Sequence, residues 1–154
     1  MTLTGSLIRP LQTDDYYNGY LKLLQQGFTI TPSKISIEDF TRFVNDVNKH
    51  TFVIEQTSNH VPETNIQIVA SATVIIEQKL IRDMGKVCHI EDVVVDKSSR
   101  GKGFGKHIIY HCFELARQHG CYKCILNCDE DKVKFYEKCD SGFYQTGVEM
   151  VSYL

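Results

Sequence analysis

Apolar residues change their spacing along the chain, and each change marks an element. From Leu3 to Arg9 they read as a strand, closed by Pro10. After Thr13-Asp14-Asp15, whose acids suit a first helical turn, Tyr17, Leu21 and Leu24 recur at helical spacing to about Gln26, and Gly27 stops the run. Ser36-Ile37-Glu38-Asp39 resembles a capping box. Phe40, Phe43, Val44 and Val47 then give a second helix its apolar face, ending near Asn48. The period shortens to that of strands over Thr51 to Gln56 and over the β-branched run Ile66 to Glu77, with a polar hairpin loop at 58–65 between them. A charged connector, Lys79 to Gly85, precedes a strand over Val87 to Val95. Phe104, Ile108, Ile109, Cys112, Phe113 and Ala116 return to helical spacing, and His119-Gly120 is a C-terminal stop. Lys123 to Cys128 reads as a strand. Asp129 to Lys138, acidic first and basic last, reads as a short helix. Phe143-Tyr144 and Val148 to Tyr153 are expected to close the chain as strands. This order predicts one mixed α/β domain over residues 1–154: a mostly antiparallel sheet flanked by about four helices, with one strand–helix–strand crossover.

The chain is organised around the stretch from Val93 to Ala116. Val93, Val94 and Val95 end a strand, Asp96-Lys97-Ser98-Ser99 makes a polar turn, and Arg100-Gly101-Lys102-Gly103-Phe104-Gly105-Lys106 leads into the helix. A glycine-rich loop at a helix N-terminus presents free backbone N–H groups, and the helix dipole favours an anion there. Arg100, Lys102 and Lys106 add positive charge at the same point. The stretch reads as a pyrophosphate cradle; the competing reading is that the three glycines only ease a turn.

Composition narrows the classes. The formal net charge of −2 leaves no basic field for nucleic acid. No apolar run approaches the roughly 20 residues of a membrane span, and a cytoplasmic setting is expected. The ending Ser152-Tyr153-Leu154 has the outer residues of a peroxisomal address without its basic centre. Six cysteines are expected to be reduced in that setting. Cys121-x-x-Cys124, with Cys128 and His119 near, invites a zinc reading, but no second pair supplies the other half, so no metal is expected.

With its glycine loop after the fourth strand, the chain resembles the GNAT family of N-acetyltransferases, whose signature Gln/Arg-x-x-Gly-x-Gly/Ala is matched by Arg100 to Gly105. Further stretches narrow the resemblance to members that acetylate glucosamine 6-phosphate: His89-Ile90-Glu91-Asp92, Gly120-Cys121-Tyr122-Lys123, Asn127-Cys128-Asp129-Glu130, Val133 to Cys139, and Gly147-Val148-Glu149-Met150. It covers nearly the whole chain. It implies acetyl-CoA as cosubstrate, held by the backbone of Val93 to Val95 and by Arg100, Gly101, Lys102, Gly103, Phe104, Gly105 and Lys106. It implies Tyr136 as general acid beside the coenzyme sulfur. Glu91, Asp92, Lys79, Arg82, Tyr122 and Lys123 would stand around an amino sugar phosphate, and the protein would be a homodimer sharing its substrate site. The product would enter UDP-N-acetylglucosamine synthesis.

Several family positions differ. Asn127 stands where an aspartate is expected near the amine, and an amide cannot take a proton; Glu91, a water chain or solution is left for that task, and His89 reads as structural. Gln25 and Tyr153 replace a threonine and an arginine that touch substrate in relatives, Lys132 replaces an asparagine, and Asp140-Ser141 reads as a small insertion. These changes keep two alternatives open: acetyl transfer to another small amine or a peptide N-terminus, and a coenzyme-A-binding module without catalysis.

Overall fold

The β-branched runs build a single five-stranded sheet in the computed structural model, in which residues 5–57, 66–139 and 142–154 are described. The hairpin loop expected at 58–65, the start of the first strand and Asp140-Ser141 lie outside the described residues. The strands are β1 (Ser6–Pro10), β2 (Lys49–Thr57), β3 (Ile66–Gln78), β4 (Lys86–Val95) and β5 (Cys121–Ile125), in sheet order β1-β2-β3-β4-β5. The first four pair antiparallel; β5 lies parallel to β4, as the crossover requires. The helices are α1 (Tyr20–Leu24), α2 (Ile37–Val44), α3 (Ile81–Met84), α4 (Phe104–Gln118) and α5 (Val133–Glu137).

Alternation divides the core between the two faces. On one, α4 buries Phe104, Ile108, Ile109, Cys112 and Ala116 against Ile54, Val69, Val74, Cys88 and Ile90. On the other, α1 and α2 bring Tyr20, Leu21, Leu23 and Phe40 against Val53, Ile68 and Val94. Each fully buried aliphatic side chain contributes about 1.5–3 kcal/mol relative to exposure. The capping box starts α2: Ser36 Oγ accepts from the N–H of Asp39, and the Asp39 carboxylate accepts from the N–H of Ser36. On β1, Arg9 holds the buried Asp15 with two 2.7 Å hydrogen bonds and also pairs with Glu55, which ties the start of the chain to β2.

Three departures from the expected elements have local causes. The first helix, expected from Thr13 to Gln26, is a 3-10 turn at Thr13–Tyr16 followed by the shorter α1, because Gly19 (φ 90°) breaks the run. The charged connector contains one helical turn, α3, with left-handed backbone at Arg82, Asp83 and Met84 (φ 58°, 53° and 64°). The expected strands at 143–144 and 148–153 do not form: residues 142–154 pair with no strand among the described residues, and Val148, Met150 and Tyr153 are more than nine-tenths exposed. A strand needs a neighbour for its N–H and C=O groups, and none of the five strands pairs with this segment.

Candidate active site

The sheet opens where β4 and β5 part. Their pairing ends at His89↔Ile125, while β4 runs on to Val95. From Ile90 onward the edge of β4 that faces away from β3 has no strand partner among the described residues. Val93, Val94 and Val95 sit on that edge, and the turn at Asp96 delivers the chain from it directly into the glycine loop.

A bulge shapes the same stretch. Ser71 pairs Val94 and Thr73 pairs Glu91, so Asp92 and Val93 together oppose Ala72. Asp92 takes up the extra residue with φ 52°. The facing of β4 changes phase there: Cys88 and Ile90 pack with α4 before the bulge, Val93 and Val95 after it. Strict alternation would send Glu91 and Asp92 to opposite faces. At the bulge the charge of Asp92 acts on two neighbours, Glu91 and Tyr20, adding to the burial that raises the pKa of each.

In the loop the three glycines have different reasons. Gly101 (φ 77°) and Gly103 (φ 88°) hold left-handed backbone, Gly101 in open space and Gly103 as the N-cap of α4. Gly105 is a packing glycine: a Cβ there would lie 2.9 Å from Cζ of Phe135. That close approach seats α5 on the first turn of α4. The side chains of Arg100, Lys102 and Lys106 are exposed around that turn.

Tyr136, next to Phe135 on α5, lines a cleft of about 720 Å³ between β5 and the C-terminal segment. Lys123, Asn127 and Glu149 line it too. Its ring meets Phe135 edge to face, with centroids 4.9 Å apart. Burial pushes the phenol up to about 12, with Cys128 and Cys139 adding to the shift, so it stays protonated across the physiological range.

Beside this cleft the structure gathers carboxylates. Asn127 Nδ2 donates to Glu149 Oε1 at 3.1 Å, which leaves the amide carbonyl as an acceptor. Burial raises the pKa of Glu91, and Asp92 and Glu149 push the same way against the opposing effect of His89. Glu149 was not among the expected site residues. It lies in the Gly147-Val148-Glu149-Met150 stretch that carries part of the resemblance, but nothing local marked it as a partner of Asn127.

The candidate cations divide. Arg82 and Lys123 flank the ring of Tyr122, 5.6 and 5.8 Å from its centroid. Gly85 lets the α3 turn close on that ring, since a Cβ there would lie 3.0 Å from Tyr122 Cδ1. Lys79 is instead paired with Glu77, whose other oxygen is 2.9 Å from His89 Nε2. Gln25, at the end of α1, and Tyr153 are exposed and line no part of the cleft. Cys88 and Cys124 are register partners, Cys121 and Cys124 pack on the α4 side, and Cys128 is exposed. No group of three or more His, Cys, Asp or Glu among the described residues is placed to hold a metal ion. No described helix is long and apolar enough to cross a membrane.

A forked α/β sheet with a glycine-rich loop at its open edge is the architecture of acetyl-coenzyme-A-dependent N-acetyltransferases. Residues 13–141 match the model of the acetyltransferase (GNAT) family, and the chain belongs to it. Acetyl-CoA is the cosubstrate of such enzymes. The chain is 40% identical over 153 residues to glucosamine 6-phosphate N-acetyltransferase 1 of Dictyostelium discoideum, covering 97% of this chain and 92% of that one. It is 40% identical over 152 residues to glucosamine 6-phosphate N-acetyltransferase of Candida albicans, covering 96% and 95%. The crystal structure of the Arabidopsis thaliana enzyme of the same name superposes with a TM-score of 0.85 at 36% identity, covering 96% and 97% of the two chains.

Proposed function

We propose that this chain transfers an acetyl group from acetyl-CoA to the amine of D-glucosamine 6-phosphate, giving N-acetylglucosamine 6-phosphate and CoA for UDP-N-acetylglucosamine synthesis. The observation that carries the donor half is the unpaired edge of β4 running straight into the glycine loop. The pantetheine arm pairs with Val93 to Val95 as an added strand, and the pyrophosphate takes the N–H groups from Gly101 to Lys106. The acceptor rests on near-full-length similarity to enzymes of that name.

Transfer is direct, with both substrates bound. The amine nitrogen attacks the thioester carbonyl, and a backbone N–H near Val93 on the bulged strand stabilises the oxyanion that develops. The carbon–sulfur bond then breaks, and Tyr136 gives its proton to the leaving thiolate. Asn127 orients the amine through its carbonyl. Glu91, with its raised pKa, takes the amine proton directly or through water. The sugar phosphate lies against Arg82 and Lys123, with Asp92 and Tyr122 around the sugar; Tyr153 reaches the substrate only when the C-terminal segment packs on a partner, and Gln25, at the end of α1, lines no part of the cleft. Lys79 is the weakest candidate, because Glu77 already takes its charge.

The working form is a homodimer of single-domain chains in the cytoplasm, its C-terminal segments completing a shared site. The test is release of CoA thiol from acetyl-CoA with a panel of amines. Glucosamine 6-phosphate is expected to be the best acceptor. Release with a polyamine or a peptide N-terminus, but not with the sugar phosphate, would replace the acceptor; acetyl-CoA binding without release to any amine would favour the non-catalytic module.

A further inference from the structure

Gln26 lies just past the end of α1, far in sequence from the loop that takes the donor. Its backbone N–H bonds to Leu23 O at 3.0 Å, which fixes it at the exit of the helix. Its side chain reaches the turn between β4 and α4: Nε2 donates to Asp96 Oδ2 at 2.6 Å, and Oε1 accepts from the N–H of Lys97 at 2.8 Å. The other oxygen of Asp96 accepts from the Ser98 N–H at 3.0 Å and from the Ser98 hydroxyl. Asp96 is only 8% exposed. Both ends of the amide are therefore committed. Turning it over would set NH2 against the Lys97 N–H and a carbonyl against a carboxylate. Beside it, a Cβ on Gly27 would lie 3.1 Å from Val94 Cγ2, so the chain leaving α1 is seated on the last residues of β4.

We infer that Gln26 is a positioning residue for acetyl-CoA: acting through Asp96, it sets the backbone of the turn that presents Arg100 to Lys106 to the pyrophosphate. It touches no substrate. The N–H groups of the loop bind an anion only if they converge, and their direction is inherited from residues 96–99. The same lock fastens the α1 exit, which carries Gln25 at a position read as acceptor-facing, to the donor loop. The inference rests on the donor reading given above.

The polarity of the lock supplies the test. Q26E places two carboxylates together, and D96N places two amide groups together; in Q26E/D96N the carboxylate and amide exchange places, and every hydrogen bond can form again with its direction reversed at one point. The dissociation constant of acetyl-CoA is measured by calorimetry, with kcat at saturating substrates and the melting temperature alongside. Each single variant is expected to raise the acetyl-CoA dissociation constant about tenfold, the scale of one buried hydrogen bond to a charged group. The double variant should return to within about twofold of wild type, and kcat should change less than twofold throughout. Q26A, which leaves Asp96 its Ser98 partners, keeps the test valid if a charge variant folds poorly; it should also weaken acetyl-CoA about tenfold. Binding unchanged in Q26A, or a well-folded double variant no better than the single ones, would overturn the inference. Failure of the wild type to bind acetyl-CoA would instead strike the donor reading itself.

Discussion

Tyr136 has the properties of a donor rather than a base. Its phenol stays protonated because the ring is packed between Phe135 and Phe143 and partly cut off from water. Removing the hydroxyl while keeping the ring should leave the packing intact. Tyr136→Phe is expected to lower kcat by about 10² or more, the usual contribution of general acid catalysis, with the acetyl-CoA dissociation constant within about twofold of wild type. Single-turnover measurement separates this from product release, and an unchanged chemical step would remove Tyr136 from the acid role. Glu149 carries a second prediction at this scale. Burial and Asp92 raise the Glu91 pKa, and the charge of Glu149 adds to that shift. A base must be deprotonated to act, so a raised pKa moves the acid limb of the kcat/KM profile to higher pH. Glu149→Gln removes one of the charges responsible, and the limb should shift to lower pH. No shift would detach Glu149 from Glu91.

At the scale of elements, the glycines after β4 separate two tasks. Gly105→Ala drives a Cβ into Phe135, and α5 must move. Overpacking of this kind costs about 1–3 kcal/mol, and here the displaced helix carries Tyr136. The expected result is a lower melting temperature with kcat falling more than acetyl-CoA affinity. Gly101→Ala meets open space but keeps a left-handed backbone that costs about 1–2 kcal/mol, so acetyl-CoA affinity should fall more than kcat. The reverse pattern in the two variants would refute this division, and calorimetry with steady-state kinetics reads it. The elements themselves were legible where one period ran without interruption. The α4 stripe, the long β3 run and the capping box before α2 all lie as the sequence reads. The bulge at Asp92 was not legible, because alternation has no mark for an extra residue. The left-handed turn of α3 was hidden for a related reason: Arg82-Asp83-Met84 lacks the glycines that usually announce positive φ. The lock between Gln26 and Asp96 joins residues 70 apart, and no local pattern encodes such a contact.

At the scale of the molecule, the C-terminal segment is where the proposed homodimer is tested. Val148, Met150, Val151 and Tyr153 are 91%, 92%, 69% and 93% exposed, an apolar run that water does not favour. The same segment contributes Glu149, which already reaches Asn127. In the proposed homodimer, the strand expected at Val148 to Tyr153 would find its neighbour in a second copy of the chain. The proposed partner would pair there with β5, which is short and whose outer edge has no partner strand among the described residues. Analytical ultracentrifugation of the intact protein should give twice the 17.7 kDa of the chain. Val148→Asp with Met150→Asp charges the apolar run but keeps Glu149. This variant should sediment as a monomer and lose acetyl transfer at concentrations where the wild type is dimeric. If it stays dimeric, the interface lies elsewhere. If it becomes monomeric and turns over at the wild-type rate, each chain holds a complete site, and the shared-site reading fails while the dimer stands.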